Sequence, residues 1–159
     1  MTLFQQNNFE SLIFTLSSIQ HQIKEPKTSI TILTMKRVIS TNKAPKAIAT
    51  YSQAVEANGM LFIAGQIPID PATGKLVEGG ISEQTEQVLK NIGEILSAAG
   101  YTFQDVVKST CLLTNMSHYA EMNAVYGKFY FENSPARAAF AVTGLPMGAL
   151  VEIETIASR

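Results

Sequence analysis

The stretch SPARAAFAVTGLPMGALVEIETIA, Ser134 to Ala157, holds two runs that read as oily strands, and each carries a misplaced charge. Arg137 opens the first run and Glu152 interrupts the second. Burying a lone guanidinium or carboxylate is expensive unless the group has a partner or a job. A hairpin centred between Gly144 and Leu145 would set Arg137 opposite Glu152. One reading of that pair is a structural salt bridge. The other is a site for a small carboxylate: arginine offers a planar fork matching a carboxylate bidentately, and glutamate can hold a water and move protons. Glu154 shares the face of Glu152 by the two-residue period, and periodicity does not rank the two.

Upstream, DVVKSTCLLT is rich in β-branched residues and reads as a strand. Ser117 is expected to open a second helix, HYAEMNAVYGKFYF, with Tyr119, Met122, Tyr126 and Phe129 as an apolar stripe packed in the core. The best helix in the chain is ISEQTEQVLKNIGEILSAAG. Val88, Leu89, Ile92, Ile95, Leu96 and Ala99 form one stripe, Ser82 is expected to cap the start, and Gly100 stops the end. Further back, AVEANGMLFIAGQIPID folds around Asn58-Gly59, a strong hairpin signal. KRVIS reads as a short first strand. The order β, ββ, α, β, α, ββ describes an α+β protein, with one sheet and both helices on one face. The uncovered face is where subunits would meet.

Composition sets further limits. The chain has 159 residues, enough for one domain with a real core. Only 16% of residues are charged against 46% hydrophobic, whereas a typical soluble domain is about 25% charged. Some surface therefore avoids water, which points to a homo-oligomer. A net charge of -1 and the lack of a dense Lys/Arg cluster argue against nucleic acid as the main partner. The one cysteine, Cys111, falls in a strand and reads as buried rather than nucleophilic, and two isolated histidines make no metal-ligand spacing. No run approaches the ~18 apolar residues of a membrane span. Residues 1–34 match neither a secretory nor a mitochondrial leader, so they read as a dispensable extension of a cytoplasmic protein, with the patterned domain spanning 35–159.

SPARAAFAVTGLPMGALVEIE, together with YSQAVEANGMLFIAGQIPIDPATGKL and VVKSTCLLTNMSHYAEMNAVY, resembles the RidA (YjgF) family of reactive-intermediate imine deaminases. The resemblance runs from about Met35 to Arg159. It implies a chorismate-mutase-like α+β fold assembled as a homotrimer, with sites in clefts between subunits. It further implies cofactor-free hydrolysis of 2-aminoacrylate and 2-iminobutanoate, made by pyridoxal-phosphate enzymes, to 2-oxo acids and ammonia. By motif, Arg137 matches the family's carboxylate-binding arginine and Glu152 its water-orienting glutamate. Tyr51, Asn123 and Gly65 match residues lining the same cleft. Two positions depart from the family pattern. Ala139 stands where a cysteine is common, and Ala64 where a serine is common, which bears on substrate preference. A ribonuclease or translation inhibitor, and a non-catalytic module binding small carboxylates, are the competing readings. The first sits poorly with the acidic pI and the absence of a histidine pair, the second with the presence of Glu152 beside Arg137.

Overall fold

The computed structural model describes residues 36–159, so the expectation that residues 1–34 form a dispensable extension lies outside the described residues. Six strands form one mixed sheet: β1 (Arg37–Ile39), β2 (Ala54–Ala57), β3 (Met60–Gln66), β4 (Val106–Leu113), β5 (Ala136–Ala141) and β6 (Val151–Ser158). Among the described residues two α-helices, α1 (Ile81–Ala99) and α2 (Tyr119–Phe129), accompany the sheet. The strand order across the sheet is β1-β2-β3-β6-β4-β5.

The hairpin at Asn58-Gly59 forms as its sequence demands. Both residues take positive φ, 53° and 72°, which a two-residue turn needs to follow the twist of its strands. Strand β4 alternates: Ser109, Cys111 and Leu113 are buried, while Lys108, Thr110 and Leu112 face the other way. On β6, Val151, Ile153, Thr155 and Ala157 share the buried face. All six stripe residues of α1 are buried and join β3, β4, β6 and α2 in a single core cluster. Helix α2 contributes Met122, Val125 and Tyr126 to that cluster, so both helices cover one face. The other face leaves large apolar side chains open: Val38 is 58% exposed, Phe62 45% and Phe140 55%.

Three expectations need correction. The runs around Arg137 and Glu152 are not a hairpin: β5 pairs in parallel with β4, and β6 lies antiparallel between β3 and β4. A β4–α2–β5 crossover puts β5 on the far edge, since parallel neighbours require a long connection and the helix supplies it. The start of α1 is Gly80, not Ser82; the Glu83 carboxylate reaches back to accept from the Gly80 N–H at 2.8 Å. A short 3-10 turn precedes α2, and it is Asn115 rather than Ser117 that accepts there, from the Ser117 N–H at 2.8 Å. Gly100 does end α1, in the left-handed conformation at φ 86°.

Two glycines offer a controlled comparison. Gly59 and Gly74 both sit at positive φ, yet a Cβ on Gly59 would lie 2.8 Å from the Arg159 carbonyl oxygen, whereas one on Gly74 would meet nothing within 4 Å. Gly74→Ala is expected to cost about 1 kcal/mol, the conformational penalty alone. Gly59→Ala should cost clearly more, because the β3–β6 end must shift as well. Urea unfolding of the two variants side by side measures the difference.

Candidate functional site

The residues singled out from sequence fall into two groups. The first surrounds a cavity of about 780 Å³ whose lining includes Tyr51, Gly65, Glu152, Ile48, Ile67 and Met147. Glu152 points into it from the open face of β6. Its carboxylate lies directly over Gly65, and any side chain at that position would collide with it. Strand β3 bulges here: Ile63 pairs with Thr155 but Gln66 with Ile153, so β3 spends an extra residue in the interval. The bulge and the missing Cβ together make room for the carboxylate. Glu154 is exposed and does not line the cavity, so the geometry separates the two acidic residues that periodicity could not. Burial, reinforced by the neighbouring Glu154 charge, pushes the Glu152 carboxyl above the ordinary range.

Buried amides shape this cavity. Gln53 donates to the carbonyls of Thr41, Ala44 and Pro45 and accepts from the Thr41 N–H at 2.6 Å, which ties down the loop carrying Lys46 and Ile48. Asn91, on α1, donates to the Ile69 carbonyl at 2.9 Å and fixes the segment after β3. Gln84, one turn into α1, accepts from the Leu150 N–H at 2.8 Å, just ahead of Glu152. None of these was a sequence candidate. Gln84 and Asn91 fall on the apolar stripe of α1, and a polar residue on such a stripe is the signal that could have found them.

Arg137 belongs to the second group. It pairs with Ser109, on the helix-covered face, at the edge of the sheet, and its guanidinium lies against α2. Nη2 donates to the Tyr119 hydroxyl at 2.9 Å and to Asn123 Oδ1 at 2.7 Å, while the guanidinium carbon sits 4.6 Å from the centre of the Tyr126 ring. Residues 119, 123 and 126 lie on one face of the helix, as the i, i+4, i+7 spacing requires. Tyr119 is therefore not a core residue: it is 37% exposed and bound to Arg137. Ala139 is half-buried beside Cys111 on the same face. Burial pushes the Cys111 thiol up to about 11, so it is no nucleophile at neutral pH.

Arg137 and Glu152 do not meet. Their neighbours on β4 are Ser109 and Leu112, which point to opposite faces of the sheet. Among the described residues Arg137 has no carboxylate within salt-bridge distance; the ion pairs are Arg37–Glu56, Lys43–Glu94 and Lys90–Glu86. The staple reading is excluded within one chain. One group offers a cation with hydrogen-bond donors and no base. The other offers a carboxylate of raised pKa in a largely apolar cavity whose lining includes Lys46 but not Arg137. No cluster of three or more metal-ligating side chains occurs among the described residues, and no helix there is long and apolar enough to cross a membrane.

The family model for endoribonuclease L-PSP matches residues 41–159. A RutC family protein of Pyrococcus horikoshii is 55% identical over 125 residues, covering 79% of this chain and 99% of that protein. A Mus musculus protein named 2-iminobutanoate/2-iminopropanoate deaminase is 52% identical over 124 residues, covering 77% and 91%. Among solved structures, E. coli TdcF with bound serine superposes with a TM-score of 0.75 at 36% identity, covering 78% of this chain and 99% of that one. The six-stranded sheet, the two helices and these matches agree: the chain belongs to the endoribonuclease L-PSP family, the YjgF/RidA family its sequence resembles.

Proposed function

We propose that this protein hydrolyses 2-imino acids, 2-iminobutanoate and 2-iminopropanoate (the imine of 2-aminoacrylate) among them, to 2-oxo acids and ammonia, in sites completed between subunits of a homotrimer. The observation that carries the proposal is the separation of two incomplete half-sites on opposite faces of one sheet, each matching a motif of the deaminase family. Relatives at about half identity named as deaminases support the reaction, and a relative with bound serine supports a small amino-acid-like ligand. The open apolar side chains of Val38, Phe62 and Phe140 support self-association through the uncovered face. The family model's title names a ribonuclease, but a net charge of -1 offers no basic track for RNA.

The chemistry asks little of the protein. The imine carbon is already electrophilic. Arg137 of one subunit, with Asn123 beside it, takes the substrate carboxylate; Glu152 of its neighbour holds a water against the imine carbon, with Tyr51 and the Gly65 backbone lining the cleft. With the imine protonated on nitrogen, Glu152 removes a proton as the water's oxygen bonds to carbon and the C=N pair moves to nitrogen, giving a neutral carbinolamine. It returns that proton to nitrogen; as the C–N bond breaks, the hydroxyl oxygen forms the C=O bond and its proton passes back to Glu152 and on to the departing ammonia, leaving the 2-oxo acid. Its raised pKa suits a group that must both accept and give a proton. No cofactor enters any step. Ala139 and Ala64, both small, leave substrate choice to the cavity's shape.

Ammonia release from 2-iminobutanoate generated in situ tests the activity, and light scattering should give about three times the 17.3 kDa chain mass. Arg137→Lys is expected to lower turnover roughly a hundredfold. Its stability should change by roughly 1 kcal/mol or less, because no buried ion pair is broken. An active but unstable variant would restore the structural reading. Glu152→Gln should lose rate while keeping product affinity. A carboxyl raised in the folded state opposes folding once ionised. Glu152→Gln should therefore melt with its parent at about pH 3, below the ordinary glutamate range of about 4.3, where both states of the parent are largely protonated. It should melt progressively higher than its parent as pH rises through the Glu152 titration. Paired thermal melts from acid to neutral pH read this.

A further inference from the structure

The hydrogen bonds of Arg137 have a consequence for how a carboxylate is held. A guanidinium presents two edges of paired protons, one formed by Nη1 with Nη2 and one by Nε with Nη2. Both edges use Nη2. In this protein Nη2 donates to the Tyr119 hydroxyl oxygen at 2.9 Å and to Asn123 Oδ1 at 2.7 Å. The nitrogen that both paired edges share is therefore already engaged. The guanidinium is also fixed in place, with its carbon 4.6 Å from the Tyr126 ring centre and 5.5 Å from that of Tyr119.

What Arg137 takes from its two neighbours is their oxygens. A phenol that accepts through oxygen keeps its O–H proton for another partner, and an amide that accepts through Oδ1 turns its NH₂ away. Accepting from a cation also makes the phenol a stronger donor. Tyr119 is on the surface rather than packed away, so its proton faces solvent or a ligand.

Resting on the deaminase reading, we infer that the Tyr119 hydroxyl is a substrate-binding group: it accepts from Arg137 and donates its proton to the substrate carboxylate. Arg137 then acts as both charge and organiser. It supplies the charge and a single N–H, and through Nη2 it holds the Tyr119 oxygen so that the hydroxyl proton is left for the same anion, while Asn123 steadies the guanidinium. The carboxylate is recognised by Arg137 and Tyr119 together.

Tyr119→Phe tests this, because it removes the hydroxyl and keeps the ring. With 2-oxobutanoate as carboxylate probe and 2-oxobutanamide as its uncharged counterpart, calorimetric titration should show the carboxylate bound about tenfold more weakly, as expected for a lost hydrogen bond to a charged group. Amide affinity should be unchanged. KM for 2-iminobutanoate should rise by a similar factor with kcat nearly constant, and the melting temperature should not move. Unchanged 2-oxobutanoate affinity would overturn the inference. So would tighter binding, which would mean that the hydroxyl merely blocks the fork, or an equal loss for both probes. If the parent protein released no ammonia, the deaminase reading would fall, while the two probe titrations would still decide whether Tyr119 reads a carboxylate.

Discussion

The parallel pairing of β5 with β4 is the constraint on which the rest depends. Strand β6 is inserted between β3 and β4, so β5 can reach the sheet only at the far edge, after a helical crossover. That crossover is α2, and it returns the chain so that Arg137 lies against the helix that precedes it. The same arrangement places Glu152 over the bulge of β3, two strands away and on the other face. Had the last two strands formed a simple hairpin, the two charges would have neutralised each other across it. The topology keeps them apart and leaves each with an unspent capacity.

Keeping a carboxylate unspent requires a stiff surround. The loops around Glu152 carry little regular structure, and their order comes from buried amides on neighbouring elements. Gln53, Gln84 and Asn91 are all nearly inaccessible and all bonded to loop backbone. Leaving one such buried backbone group unpaired costs about 1–3 kcal/mol, so these contacts hold loop positions that apolar packing alone would leave loose. Around Arg137 the stiffness comes from rings instead. Tyr126 stacks on Tyr130 with ring centres 4.3 Å apart, and that stack forms the floor beneath the guanidinium.

Much of this was legible in the sequence. The α1 stripe, the Asn58-Gly59 hairpin and strand β4 are each specified by local periodicity, turn chemistry or β-branched composition, and all three stand as read. Three features were not legible, two of them because they are set by partners distant in the chain. Strands β5 and β6 are adjacent in sequence and joined by a turn-rich segment, yet the pairing each obtains on β4 outweighs a mutual hairpin. The start of α1 moves to Gly80 because Glu83 can reach back to it and Ile81 is buried at once. Tyr119 fits the helical stripe by number, but it sits at the helix's first position, past the edge of the core and beside Arg137. Arg137 and Glu152 stood out as charges in apolar strands, whereas Tyr51, Asn123 and Gly65 were visible only through motif resemblance; spacing alone suggested a pairing that the sheet does not make.

The central claim is that a working site needs Arg137 from one chain and Glu152 from another, and mixing two crippled variants tests it most directly. Arg137→Lys and Glu152→Gln chains, each nearly inactive alone, would be unfolded, mixed in equal amounts and refolded together. If sites are shared, random assembly gives about one site in four with both native residues, so close to a quarter of the parent's ammonia release should return. If both residues served a site within one chain, every site would carry a defect. Activity no higher than that of the separate variants, from a mixture shown by mass to contain mixed assemblies, would contradict the account.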